Sequence, residues 1–115
     1  MDLNFVDPSE APVPPEEVEV REIRAEPMPD QRRVKVHIEL TPFQRRPTLA
    51  VAILDQDDAR LASATIIESI DHILEFTMHL RGKVPSGEYR LKVAAGYEQD
   101  QDPVHVKEVN FTLTD

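Results

Sequence analysis

At 115 residues the chain has room for one domain, and a domain of that size buries roughly 65% of the surface its unfolded form exposes. Apolar residues make up 40% and aromatic residues 5%, with no Trp, so a core must be assembled from Val, Ile, Leu and Ala. The absence of Cys excludes disulfides, thiolate metal sites and thiol nucleophiles, a net charge of −9 disfavours a nucleic-acid backbone or an anionic lipid surface, and no run approaches the ~20 apolar residues of a membrane helix.

Residues 1–17 are expected to form a disordered, acidic, proline-rich tail. They hold five acids and no base, and Pro8, Pro12, Pro14 and Pro15 stand among small residues without any period that a core could use. Pro12-Val13-Pro14-Pro15 favours polyproline II geometry. With no flanking Arg it reads as a linker and not as a recognition peptide. The start, Met1 to Phe5, has neither a basic nor an apolar signal-peptide region, so cytoplasm is the expected compartment.

The domain is read as residues 18–115, where 17 acids face 13 bases. Ten prolines against three glycines already lean towards β-structure. Val18 to Ala25 is the first strand. Val18 and Val20 share one parity and Ile23 and Ala25 the other, which predicts a bulge near Glu22. Pro27 to Asp30 is a turn. In the second strand Val34, Val36, Ile38 and Leu40 alternate with Lys35, His37, Glu39 and Thr41, giving one dry and one wet face.

Thr48 to Asp55 and Arg60 to Glu68 are the third and fourth strands, joined as a hairpin by Gln56-Asp57-Asp58. A fifth carries Leu74, Phe76, Met78 and Leu80 on one face. Residues 61–81 also carry a passable helical stripe, but the β-branched run Thr65-Ile66-Ile67 and the later alternation favour strands. Tyr89, Leu91, Val93 and Ala95 mark the sixth strand, and Glu98 to Pro103 a loop. The seventh runs from Val104 to Thr114 with Val109, Phe111 and Leu113 inward. Val104 and Val106 have the other parity, which predicts a second bulge near Lys107.

The fold class is therefore all-β, seven antiparallel strands at intervals of roughly 10–15 residues. Pro85-Ser86-Gly87-Glu88-Tyr89-Arg90-Leu91-Lys92-Val93 resembles the entry to strand F of immunoglobulin-like and fibronectin type III-like sandwiches. That resemblance implies a tyrosine corner, in which the Tyr89 hydroxyl anchors on nearby backbone and Gly87 takes the small position before it. The tight third-to-fourth turn resembles the C–C′ hairpin of fibronectin type III domains. It implies sheet A-B-E packed on sheet C′-C-F-G.

No catalytic, cofactor or metal constellation is read. His37, His79 and His105 are placed on outward, charged faces, and no histidine pair has ligand spacing. The acid clusters Asp55/Asp57/Asp58 and Glu98/Asp100/Asp102 fall at opposite ends of such a sandwich. Ser63, Ser69 and Ser86 lack a neighbouring base and acid, and the chain has no phosphate-cradling glycine motif. The expected function is a non-catalytic interaction or assembly module that meets a protein partner or a second copy of itself. Its expected face is the outer surface of the C–C′ hairpin sheet: Ala50, Ala52 and Leu54, with Ala62, Ala64 and Ile66 across the hairpin and Ala94 beside them. A half-exposed sheet should alternate apolar with polar, and this one does not. A ligand-binding sandwich is the alternative, either for carbohydrate, with Tyr97 and Phe43 as stacking platforms, or for calcium at the loop acids.

Overall fold

The alternation in β2 (Arg33–Leu40) shows how pattern becomes structure. Val34, Val36, Ile38 and Leu40 are buried, while Lys35 is exposed and His37 and Glu39 lie half-buried on the outer face. The computed structural model describes residues 11–97 and 102–114. Its other strands are β1 (Val20–Pro27), β3 (Thr48–Leu54), β4 (Arg60–Ile66), β5 (Ile73–His79), β6 (Gly87–Gly96) and β7 (His105–Leu113). They form two antiparallel sheets, β1-β2-β5 and β4-β3-β6-β7, packed face to face in a sandwich-like all-β fold. Residues 61–81 are two strands and a loop, not a helix.

The core draws on both sheets. Val34, Val36 and Ile38 meet Leu49, Val51, Ile53, Leu91 and Val93, all essentially inaccessible. Each such side chain stabilises the fold by about 1.5–3 kcal/mol through burial. Tyr89 and Phe111 extend the core at one end, their rings stacked with centroids 6.0 Å apart. Asp55 closes the β3–β4 hairpin by accepting the N–H groups of Asp57 and Ala59 at 2.8 and 2.9 Å.

Two register shifts shape the strands. One falls between Val20 and Glu22 on β1, so that Val20 and Ile23 are both buried on either side of it. The other lies between Ile53 and Leu54, opposite Arg60 and Ala62, and leaves Leu61 as the extra residue of β4. The bulge expected near Lys107 is not present. Strand β7 pairs with β6 without a break from His105 to Leu113. An unbroken period of two puts His105 and Lys107 on the same side as Val109, Phe111 and Leu113, and Val106 outward at 40% exposure. His105 is consequently not an outward histidine. It is half-buried beside β1, where its Nδ1 accepts the Val20 N–H at 2.8 Å.

Of the segment read as a tail, residues 1–10 lie outside the described residues. Within Pro12-Val13-Pro14-Pro15 only Val13 has an N–H, and it donates to Pro42 O at 2.9 Å, while Val13 O accepts from Gln44 N at 2.9 Å. Pro15–Glu17 forms one turn of 3-10 helix, and Val18 is buried ahead of β1. Of the loop read at 98–103, residues 98–101 also lie outside the described residues. No helix among the described residues is long and apolar enough to cross a membrane.

Candidate interaction surface

The alanine-rich face divides in two. Ala50 pairs across the sheet with Ala94 and with Thr65, and Ala52 with Lys92 and Ser63. Together they line a shallow hollow of about 270 Å³ on the outer side of the β4-β3-β6-β7 sheet. Leu54 shares their parity further along β3, with Arg60 and Arg90 as its neighbours. Ala62, Ala64 and Ile66 have the core-facing parity, although Ala64 also borders the hollow. They pair with the buried Ile53, Val51 and Leu49 and pack against the core. The physical reason lies in β4 itself, where both parities are small or apolar. Ser63 and Thr65 are the wetter set, and the sheet turns them outward.

Strands β4 and β5 are edges of their two sheets, linked at one point where the Arg81 N–H donates to Leu61 O at 3.3 Å. A hollow of about 470 Å³ there is lined by the apolar Leu61, Ala62, Ala64, Phe76 and Met78 and by Arg60, His79 and Arg81. The loop from β4 to β5 exposes Ile67 at 65% and Ile70 at 73%, and Ile73, which opens β5, is 50% exposed. The loop is pinned at its middle. Glu68 takes a left-handed φ of 48°. Ser69 is buried, with its N–H donating to Pro47 O at 2.8 Å and its Oγ to Asp71 O at 2.8 Å. That anchor turns the flanking isoleucines to the outside. Sequence reasoning missed them, although large apolar residues interleaved with Glu68, Ser69, Asp71 and His72 were the available signal.

The residues considered for ligands have other work. Tyr97 is 6% exposed, too buried to serve as a stacking platform. Its hydroxyl donates to Arg45 O at 2.9 Å, and the Arg45 guanidinium lies 5.3 Å from its ring centroid. Phe43 is half-buried and bridges to Val13. Asp55 organises its turn, and Asp58 pairs with Arg90. Glu98 and Asp100 lie outside the described residues. Tyr89 is 3% exposed and donates its hydroxyl to Pro85 O at 2.5 Å. Gly87, two residues earlier, has φ +144°, a conformation that side-chain-bearing residues rarely adopt.

A second cluster sits on the outer face of β1-β2-β5. His37 is not a solvated surface histidine there, since its side chain is only 13% exposed. Its Nδ1 meets Glu75 Oε2 at 3.1 Å, and its Nε2 lies 3.9 Å from Glu39 Oε2. Glu22 completes a group in which one ligand atom each from Glu22, His37 and Glu39 fall within 4.8 Å of one another. Glu22 is held below the ordinary carboxyl range chiefly by its hydrogen bond with Glu39, and Glu75 by its hydrogen bond with His37 and then by the charge of Lys35.

No family model matches the chain, and no curated protein does. Solved structures do. A β-glucuronidase from Bifidobacterium dentium is similar with a TM-score of 0.57 at 12% identity, over 84% of this chain and 18% of that one. A second β-glucuronidase, of glycoside hydrolase family 2, gives 0.54 at 14% identity over 84% of this chain and 12% of its own. A glycosyl hydrolase family 2 member from Bacteroides cellulosilyticus DSM 14838 gives 0.55 at 10% identity, over 84% of this chain and 15% of its own. The chain thus spans 12–18% of the length of these enzymes, and at such identities the likeness is one of fold.

Proposed function

We propose that this chain is a non-catalytic assembly module, a sandwich of the fibronectin type III-like kind that packs against a protein partner or a second copy of itself. One observation carries the reading: the β4–β5 loop and the first residue of β5 hold Ile67, Ile70 and Ile73 in water at 65%, 73% and 50% exposure. A run of exposed large apolar side chains is costly in isolation and tends to mark a contact surface. The hollow floored by Ala50, Ala52 and Ala94 supports the same reading, because small side chains let another backbone approach closely. The enzymes of similar fold support it too, since a sandwich of this kind accounts for only 12–18% of their chains and stands beside a much larger remainder. The strand order β1-β2-β5 and β4-β3-β6-β7 supports the fibronectin type III-like assignment, as does the Tyr89 hydroxyl bond to Pro85.

The test places a photoreactive residue at Ile70, at Ala52 and, as a control, at the exposed Lys83 in the full-length protein in its own cells. A discrete cross-linked species from position 70 or 52 and none from 83 is the expected result. Sedimentation of the parent and of Ile70→Glu separates self-association from a different partner. Equal cross-linking at all three positions, with a monomeric parent, refutes the module reading.

A further inference from the structure

We propose that Glu22, His37 and Glu39 form a binding site for a divalent transition-metal ion of the zinc class, with Glu75 as the positioning residue behind His37. The proposal is independent of the assembly reading above.

The site is made by the bulge in β1. Val20 stands opposite Leu40 on the buried side, and an unbroken strand would set Glu22 opposite Ile38, facing the core. The register shift instead sets Glu22 opposite Glu39 on the outer face. Bulges re-aim side chains in this way. The result puts two carboxyl groups directly across a strand pair, which share a hydrogen bond and would repel if both were ionised.

His37 occupies the diagonal position between them. Its Nδ1 is 3.1 Å from Glu75 Oε2, on the strand opposite. In the neutral ring, a Glu75 carboxylate that accepts the Nδ1–H leaves the lone pair on Nε2. That is the relation by which a carboxylate orients a metal-binding imidazole. Nε2 in turn has less than 1 Å² of exposed surface and no hydrogen-bond partner among the described residues. It lies 3.9 Å from Glu39 Oε2, beyond hydrogen-bonding distance, in the group that Glu22 completes within 4.8 Å. A cation between the three would draw on one imidazole nitrogen and two carboxylate oxygens, a donor set that suits zinc. Imidazole is not a calcium ligand, so calcium should not compete. Of the neighbouring cations, Arg24 reaches Glu22 Oε1 at 3.7 Å, Lys35 reaches Glu75 Oε1 at 3.6 Å, and the charge of Lys107 also acts on Glu22.

The experiment titrates zinc chloride into the full chain by calorimetry and follows the imidazole nitrogens by NMR. The expected result is binding of one equivalent, with the Nε2 signal of His37 shifted and those of His72, His79 and His105 unmoved. His37→Gln abolishes that event. Glu39→Gln, nearly isosteric and on the outer face, weakens it without unfolding the sheet. Glu75→Gln weakens it by about 10-fold through the tautomer alone, leaving the stoichiometry at one. Calcium chloride produces no comparable heat. The proposal is overturned by absence of zinc binding, by zinc binding that survives both His37→Gln and Glu39→Gln, or by shifts confined to the other histidines.

Discussion

Removing the hydroxyl of Tyr89 isolates one interaction in a well-defined setting. In Tyr89→Phe the ring stays, stacked on Phe111 at 6.0 Å and 3% exposed in the parent, so burial of the apolar part is unchanged. The loss is the hydrogen bond to Pro85 O. An intramolecular hydrogen bond contributes about 0.5–1.5 kcal/mol net, and a stranded buried acceptor raises the cost further. Pro85 is exposed, so water replaces the lost donor and the extra penalty does not arise. The expected cost is therefore about 1 kcal/mol, or roughly 5 °C in Tm for a domain near 100 residues. Urea unfolding at constant m-value measures the first quantity and calorimetry the second. A variant as stable as its parent would show that water already satisfies the hydroxyl and would remove the corner from the account of the fold.

Three further outcomes follow from the geometry. Leu91→Ala empties a site with 0% exposure at the centre of β6 and should cost about 2–5 kcal/mol by chemical denaturation; a loss under 1 would mean the core closes over the gap. Gly87→Ala forces a side chain onto φ +144° and should cost about 1–3 kcal/mol, chiefly as backbone strain, because the atom its Cβ meets is the end of the Gln56 side chain at 3.2 Å. Burial raises the pKa of Tyr89, with help from the charge of Asp55, and burial likewise raises that of Tyr97. A group whose folded pKa lies above its unfolded value stabilises fully below the unfolded pKa, here about 10. Stability should therefore fall as pH rises past that point, and a denaturation midpoint that stays flat or rises there contradicts the burial of these hydroxyls.

The strands were legible wherever one parity was apolar and the other charged. Val34 to Leu40 could face only one way, because turning Lys35 and Glu39 inward would bury charge, and Leu74 to Met78 obeyed the same constraint against Glu75. The turn at Gln56 to Asp58 and the bulge by Glu22 were equally local, the first written in polar residues and the second in a change of parity. Strand β4 had no such contrast. With Ala62, Ala64 and Ile66 on one side and Ser63 and Thr65 on the other, burial of either set costs little, and only pairing with β3 decided that the alanines face the core. In β7 the valines at 104 and 106 suggested a bulge, but the continuous ladder with β6 kept the register and left Val106 in water.

The surface features are less local still. The isoleucine loop takes its outward set from Ser69, whose anchor is Pro47 in a different loop. Glu22, His37, Glu39 and Glu75 lie on three strands, and no spacing along the chain announces them. They meet because a one-residue shift in β1 and the β2–β5 register bring their side chains to one face. What the sequence alone determined is the all-β character, the strand-by-strand sense of inside and outside where charge enforces it, and the absence of thiol chemistry. What tertiary structure decided is every feature that depends on which strand lies beside which, since a period of two records a face but not the neighbour across the ladder.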